Sequence, residues 1–363
     1  VRLPEQLLQM SKATNFDEWK SAMEIQALAM FNVVYADKED NIYYITNGHI
    51  PKREPTDTID YSNVIEGNLS ANIWNEILTI DGLPQVKNPS CGYVFNANNS
   101  PFRATCEGQN DQRSKYHPLV STWDGENNRS ERLVEIFNEK ESFDFEAIKS
   151  VKFDTKYPKN SVFLESIKVL YEVDAAKYPA IEAQIKALQN WDRHVTNKSV
   201  EAAWWGRIFQ YIFVKNEYTD KQFLVPFELT EAELIEAFTH TKELFETKFG
   251  KLDVTKGESM RIKRGDKDFP DPGFPDLLPS SYGMEYGDGT LVPEYSDSYA
   301  HIVAFDSTGP VRIETLTVFG PASDVENPRS TIEMERYSQQ KMKPMSLNKQ
   351  DIVKDSSKLY HPK

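Results

Sequence analysis

Two changes of hydrophobic period run along this chain, and they constrain its fold more than any other feature. Residues 1–30 read as helical, and "FNVVYADKEDNIYYIT" (31–46) then places two β-rich arms around Asp37–Asn41, whose Asp and Asn suit a hairpin turn. Residues 50–90 read as loop with short strands. Helical spacing follows at 129–139 and 162–173. "PAIEAQIKALQNW" (179–191) puts Ile181, Ile185, Leu188 and Trp191 on one helical face. "LTEAELIEAFTHTKELFETKFG" (229–250) opens on a capping box, Thr230 with Glu233, and ends at Gly250; Leu234, Phe238, Thr241 and Phe245 form its inward stripe. "DFPDPGFPDLLPSSYG" (268–283) is too rich in proline to keep either period, and beyond it "SYAHIVAFD" and "PVRIETLTVFG" alternate like strands to about 319. The order is β-rich, helical, β-rich. The expected fold class is α+β, a sheet region at 1–124, a mostly helical insertion at 125–262, and a Pro-rich connection with returning strands at 263–363.

Composition narrows the partners. With 363 residues, 39% apolar and 12% aromatic, the chain can bury a large core in two or more layers. A net charge of −14, from 56 acidic and 42 basic residues, argues against nucleic acid or an anionic membrane as the main partner. No stretch approaches the roughly 18–20 apolar residues of a membrane span; "FNVVYA" (31–36) is the longest good run. "VRLPEQLLQMSK" has no signal-peptide core. Since the first residue is Val rather than Met, the chain is expected to be a mature subunit or a fragment, either cytosolic or already freed of its leader.

Motifs for common chemistries are missing. Histidines at 49, 117, 194, 240, 301 and 361 show no zinc-ligand spacing, and two cysteines 15 apart make no zinc site. There is no Walker A loop, no G-x-G-x-x-G and no G-x-S-x-G; "GDGT" (287–290) reads as a turn, and His240 as a packing or surface residue of its helix. What stands out is "CGYVFNANNSPFRATC" (91–106), where both cysteines of the chain flank Asn96, Asn98 and Asn99.

Four segments, in order, carry a resemblance. "NVVYADKEDNIYYITNGHIPKR" (32–53) resembles a signature of the penicillin acylase family, N-terminal-nucleophile hydrolases that include acyl-homoserine lactone and cephalosporin acylases; the matching residues are Ala36, Asp37, Asn41, Ile42, Gly48, Pro51 and Arg53. "NPSCGYVFNANNSP" (88–101) is similar to that family's N-P-x-x-G-[YF]-x-x-N-x-N-N-x-P. "NRSERLVEIF" (128–137) resembles a segment whose arginine lies near the active site, and "LQNWDRHVTNKSVEAAWWGRIF" (188–209) its L-x-x-W-D followed by a helix. The match is most specific over 13–140 and thinner to about 350.

The resemblance implies part of an αββα sandwich with a mostly helical insertion, the 1–124 region holding the asparagine loop. It implies that Asn98 is the oxyanion-hole asparagine, a neutral N–H donor for the charge that grows on an attacked amide oxygen. Asn96 and Asn99 are then expected to satisfy the loop's own backbone. Arg129 corresponds to the arginine beside the nucleophile, where a guanidinium orders hydrogen bonds and favours a neutral amine. The family's serine nucleophile begins a β chain, its own α-amine serving as base. It is expected upstream of Val1, so this chain reads as the C-terminal portion of a processed precursor, inactive alone and partnered by the α chain and the N-terminal part of the β chain. The implied location is bacterial, periplasmic or secreted. No cofactor is required. A structural calcium ion bridges subunits in some relatives; Glu107 and Asp111 lie in the right loop, but no metal ligand is assigned.

Two questions stay open at this level. Cys91 and Cys106 either form a disulfide, closing a loop of about 16 residues worth roughly 3 kcal/mol, or remain buried thiols. The family's G-Q-S-G followed by H-Y-x-D-Q is replaced by "GPASDVENPRSTIEMERYSQQ" (320–340), which keeps only Gly320 and Ser323. That departure fits a divergent pocket, or an acylase-like binding protein that has lost the reaction. The resemblance implies a small N-acyl amide as substrate; penicillins, acyl-homoserine lactones, glutaryl-cephalosporins and lipopeptides all remain candidates.

Overall fold

The computed structural model describes residues 2–53, 59–61, 63–121, 124–216, 228–305 and 309–356, and it divides the chain into two compact units, Val1–Glu126 and Asn127–Lys363. In the first unit, α1 (Leu3–Lys12) and α2 (Phe16–Met23) come before a hairpin of β1 (Phe31–Ala36) and β2 (Ile42–Asn47), paired antiparallel with Tyr35 opposite Tyr43. Asp37 makes the turn, its Oδ1 accepting the N–H groups of Glu39 and Asn41 at 2.9 and 3.0 Å. A third strand, β3 (Gln85–Lys87), pairs with the other edge of β2. Being central, β2 is buried from Tyr43 to Asn47. Tyr43 and Ile45 pack against Phe16, Trp19 and Met23 of α2. Gln6 ties α1 to the hairpin's approach: its buried amide oxygen accepts the N–H groups of Ala27 and Leu28 at 2.7 and 3.2 Å.

The second unit is built on helices α3 (Asn128–Glu139), α4 (Phe145–Lys152), α5 (Val162–Ser166), α6 (Glu182–Gln189), α7 (Val200–Lys215), α8 (Glu231–Phe249) and α9 (Lys256–Ser259). Helix α7 has no broad polar face: Ala202, Ala203, Trp204, Trp205, Ile208, Phe209 and Ile212 are all buried, as expected of a central helix. The capping box of α8 is present, with Thr230 and Glu233 bonding each other's backbone N–H, and Gly250 closes the helix at φ 69°. Leu234, Phe238, Thr241 and Phe245 face inward as their spacing predicts.

The Pro-rich stretch holds more order than its sequence suggests. Strand β4 (Arg261–Arg264) pairs with β5 (Lys267–Pro270), and β6 (Ser281–Glu285) with β7 (Leu291–Ser296). Between them the irregular chain sends Phe274 and Leu277 into the helical core. Gly206 permits this approach, since a Cβ there would stand 3.1 Å from the Phe274 ring. Strands β8 (Tyr299–Ala304), β9 (Arg312–Thr317) and β10 (Lys343–Met345) form a sheet in the order β10-β9-β8. The described architecture is therefore mixed helix with small antiparallel sheets. No described helix is long and apolar enough to cross a membrane.

One buried cation stands out in this unit. Lys256 is 1% exposed; its ammonium donates to the backbone carbonyl of Asp271, whose own carboxylate accepts the Gly273 N–H at 2.8 Å and the Ser281 hydroxyl at 2.5 Å. Burial brings the Lys256 pKa down to about 8, with Asp271 opposing the shift. A lysine depressed in the folded state costs stability while it is charged there, and the cost is relieved as pH rises from the folded toward the unfolded value. The stability of the wild type relative to Lys256→Met should thus rise between about pH 8 and about pH 10.4. Urea unfolding of both proteins across that range measures it; a pH-independent difference contradicts the assignment.

Candidate active site

The loop that carries Asn98 is stapled at its base. A disulfide joins Cys91 and Cys106, with Cα atoms 6.4 Å apart, which resolves the choice between bridge and thiols. Inside it the backbone follows no ladder, and asparagine side chains take over its hydrogen bonding. Asn96 Oδ1 accepts the Asn98 N–H at 2.9 Å, while Asn96 Nδ2 donates to the Asn99 carbonyl at 3.2 Å. Asn99 is fully buried; its Oδ1 accepts the Ala97 N–H at 2.9 Å, and its Nδ2 donates to the carbonyls of Ser100 and Arg103 at 3.2 and 2.9 Å. Asn110 works from the other arm, accepting from the Ala104 and Thr105 N–H groups and donating to the Thr105 and Cys106 carbonyls.

Asn98 differs from its neighbours. It is exposed, and its φ of 61° lies in the left-handed region, which Asn tolerates better than most residues. The flanking side chains fix its backbone while its own side chain sits at the surface of the loop. This division of labour is the one the sequence suggested for Asn96 and Asn99.

Arg129 belongs to the second unit, in the first turn of α3. Asn127 caps that helix in a capping box with Ser130. Arg129 is one-fifth exposed, and its Nε donates to Asp276 Oδ1 at 2.9 Å. Asp276 Oδ2 accepts the Asn128 N–H at 2.8 Å, so a buried carboxylate sits at the start of α3, where the helix dipole favours an anion. Burial pushes the Asp276 pKa up; Arg129 and the Asn128 N–H act against it. Sequence reading singled out Arg129 as a candidate and did not single out Asp276. The available signal was an acid set among Phe274, Pro275 and Leu277, a local composition that foretells burial.

Asp111 is engaged by the Tyr116 hydroxyl at 2.5 Å and by Lys115, and among the described residues no three His, Cys, Asp or Glu side chains group as a metal site. The divergent C-terminal segment is well packed. Met334 and Tyr337 are buried with Ile262, Leu316 and Val318, and a Cβ at Gly320 would collide with the Arg329 carbonyl, so the backbone approach there requires glycine.

The family model described as penicillin amidase matches residues 2–354. The chain belongs to the penicillin amidase family. Penicillin G acylase of Escherichia coli is 37% identical over 90 residues, which cover 25% of this chain and 10% of that protein. A thermostable penicillin G acylase from Alcaligenes faecalis, in its orthorhombic form, shares the fold: the likeness covers 99% of this chain and 72% of that one, with a TM-score of 0.56 and 16% identity. The penicillin amidase signature segments quoted from the sequence thus lie inside the matched region.

Replacing Asn99 by Ala would remove the side-chain acceptor of the Ala97 N–H and the amide donor to the Arg103 carbonyl in a buried loop, while the Ser100 carbonyl keeps the Arg103 N–H at 3.1 Å. Asn99→Ala is expected to lower stability by about 1–3 kcal/mol, read from urea midpoints. A loss under about 0.5 kcal/mol, the scale of an ordinary surface change, contradicts this account of the loop.

Proposed function

We propose that this chain is the C-terminal portion of a penicillin-acylase-like amidohydrolase with an αββα sandwich, cleaving a linear N-acyl amide through an N-terminal serine carried upstream. The serine Oγ attacks the amide carbon, and the serine's own α-amine takes the hydroxyl proton. Asn98 Nδ2 donates to the carbonyl oxygen as it becomes an oxyanion. Collapse expels the amine with that proton and leaves an ester; water then repeats the sequence and frees the acid. Arg129 organises hydrogen bonds beside the nucleophile. No step calls on a metal or cofactor.

The observation that carries this reading is the state of Asn98: left-handed, exposed, and fixed by its neighbours' side chains in a disulfide-closed loop. A backbone that is already held lets the side-chain donor it carries be placed at little cost on reaction, which serves the requirement of an oxyanion hole. Family membership over residues 2–354 supports the reaction class. The proposed partners are the upstream α chain and the N-terminal part of the β chain, made by self-cleavage of one precursor. The disulfide suits a periplasmic or secreted bacterial protein.

Loss of an oxyanion donor strikes turnover more than binding. In the full-length, processed protein, Asn98→Ala and Asn98→Gly are expected to lower kcat by roughly 10²–10³-fold with KM little changed; the glycine variant keeps the left-handed backbone. Steady-state hydrolysis of a panel of N-acyl reporter amides measures this. Wild-type turnover in folded variants removes Asn98 from the chemistry. A full-length protein that binds N-acyl amides without hydrolysing them is an acylase-like binder instead.

A further inference from the structure

Resting on the amidohydrolase reading, we infer that Asp276 is a positioning residue for the reaction: through Arg129 it sets the charge and orientation presented to the nucleophilic amine. Asp276 is 1% exposed and has a φ of 51°, a left-handed conformation in the Pro-rich connection. The chain around it is pinned. Phe274 and Leu277 lie in the helical core, and the Tyr157 hydroxyl donates to the Pro275 carbonyl at 2.7 Å. The carboxylate therefore has little freedom to follow α3; α3 is fixed to it.

Each oxygen has its own task. Oδ2 takes the Asn128 N–H at the start of α3, and Oδ1 takes Arg129 Nε at 2.9 Å. The first bond ties the first residue of α3, whose start Asn127 caps, to the Pro-rich connection, and the second sets how the guanidinium is rotated. An unpaired buried carboxylate would be costly, and an apolar residue of similar size would fill the same space with less desolvation. An acid at this point needs a reason beyond packing, and holding a guanidinium supplies one. The charged and titratable groups facing Asp276 are Arg129 from α3, Tyr157 ahead of α5 and Tyr282 from β6. Burial pushes both tyrosines above their ordinary range, so they stay neutral and the pair Asp276–Arg129 is the local charge balance.

That balance has a consequence for the amine. An uncompensated guanidinium disfavours protonation of a nearby amine, and a paired one does so less. Asp276 thereby holds the amine's pKa higher than Arg129 alone would. Asn tolerates the left-handed backbone and keeps the volume, so Asp276→Asn removes the charge with little steric change.

The test uses the full-length processed protein and an N-acyl reporter. Asp276→Asn is expected to move the acid limb of the kcat/KM profile to lower pH by about 0.5–1 unit and to lower kcat by about tenfold or more with KM within about threefold. A second variant, Arg129→Lys, retains the charge but not the planar Nε donor; it should lose kcat without moving the acid limb. Phenylglyoxal labelling, mapped by mass spectrometry, reads Arg129 without relying on turnover and should rise several-fold in Asp276→Asn. A lower melting temperature with an unmoved acid limb makes Asp276 merely structural and overturns the proposal, as does unchanged labelling of Arg129. If the wild type hydrolyses no reporter, the amidohydrolase reading falls, and Arg129 labelling alone decides whether Asp276 holds it.

Discussion

A buried chain that forms no regular ladder must satisfy its N–H and C=O groups with side chains, and both candidate positions of this protein depend on that constraint. In the loop from Cys91 to Cys106, the amides of Asn96, Asn99 and Asn110 do the work of a missing strand. In the Pro-rich connection, Asp271 and Asp276 do it with carboxylates, one turned to Gly273 and Ser281, the other to α3. Irregular backbone held this way can adopt conformations that helices and strands do not offer. Asn98 at φ 61° and Asp276 at φ 51° are two of them. Strain of this kind persists only where the surroundings over-determine it.

Much of the scaffold was legible because period and turn chemistry act locally. The hairpin of β1 and β2 follows from two β-rich arms and Asp37, and α8 from its capping box and inward stripe. The strands β8 and β9 follow from alternation. The Pro-rich segment was opaque for a physical reason. Its order comes from long-range contacts, Phe274 against Gly206 and Asp276 against α3, that leave no trace in local spacing. β6 and β7, joined through the turn at Gly289, are likewise set by pairing with each other more than by their own period.

At the candidate site, Asn98 and Arg129 were visible only through ordered similarity to a family, because a single Asn or Arg carries no spacing signal of its own. The roles of Asn96 and Asn99 could be inferred from side-chain chemistry, since Asn next to irregular backbone commonly bonds it. Asp276 could not, since its partner lies 147 positions away. The C-terminal departure from the family pattern is now seen as a folded element around Met334 and Tyr337, which separates loss of a motif from loss of structure.

In the proposed reaction Asn98 recognises developing charge and not the resting substrate. Binding measurements on the full-length processed protein address it without turnover. A boronic acid that forms a tetrahedral adduct with the serine should bind Asn98→Gly roughly 10²–10³-fold more weakly than wild type, while the matching carboxylic acid product binds both alike. Equal weakening of the two ligands, or of neither, would contradict the account.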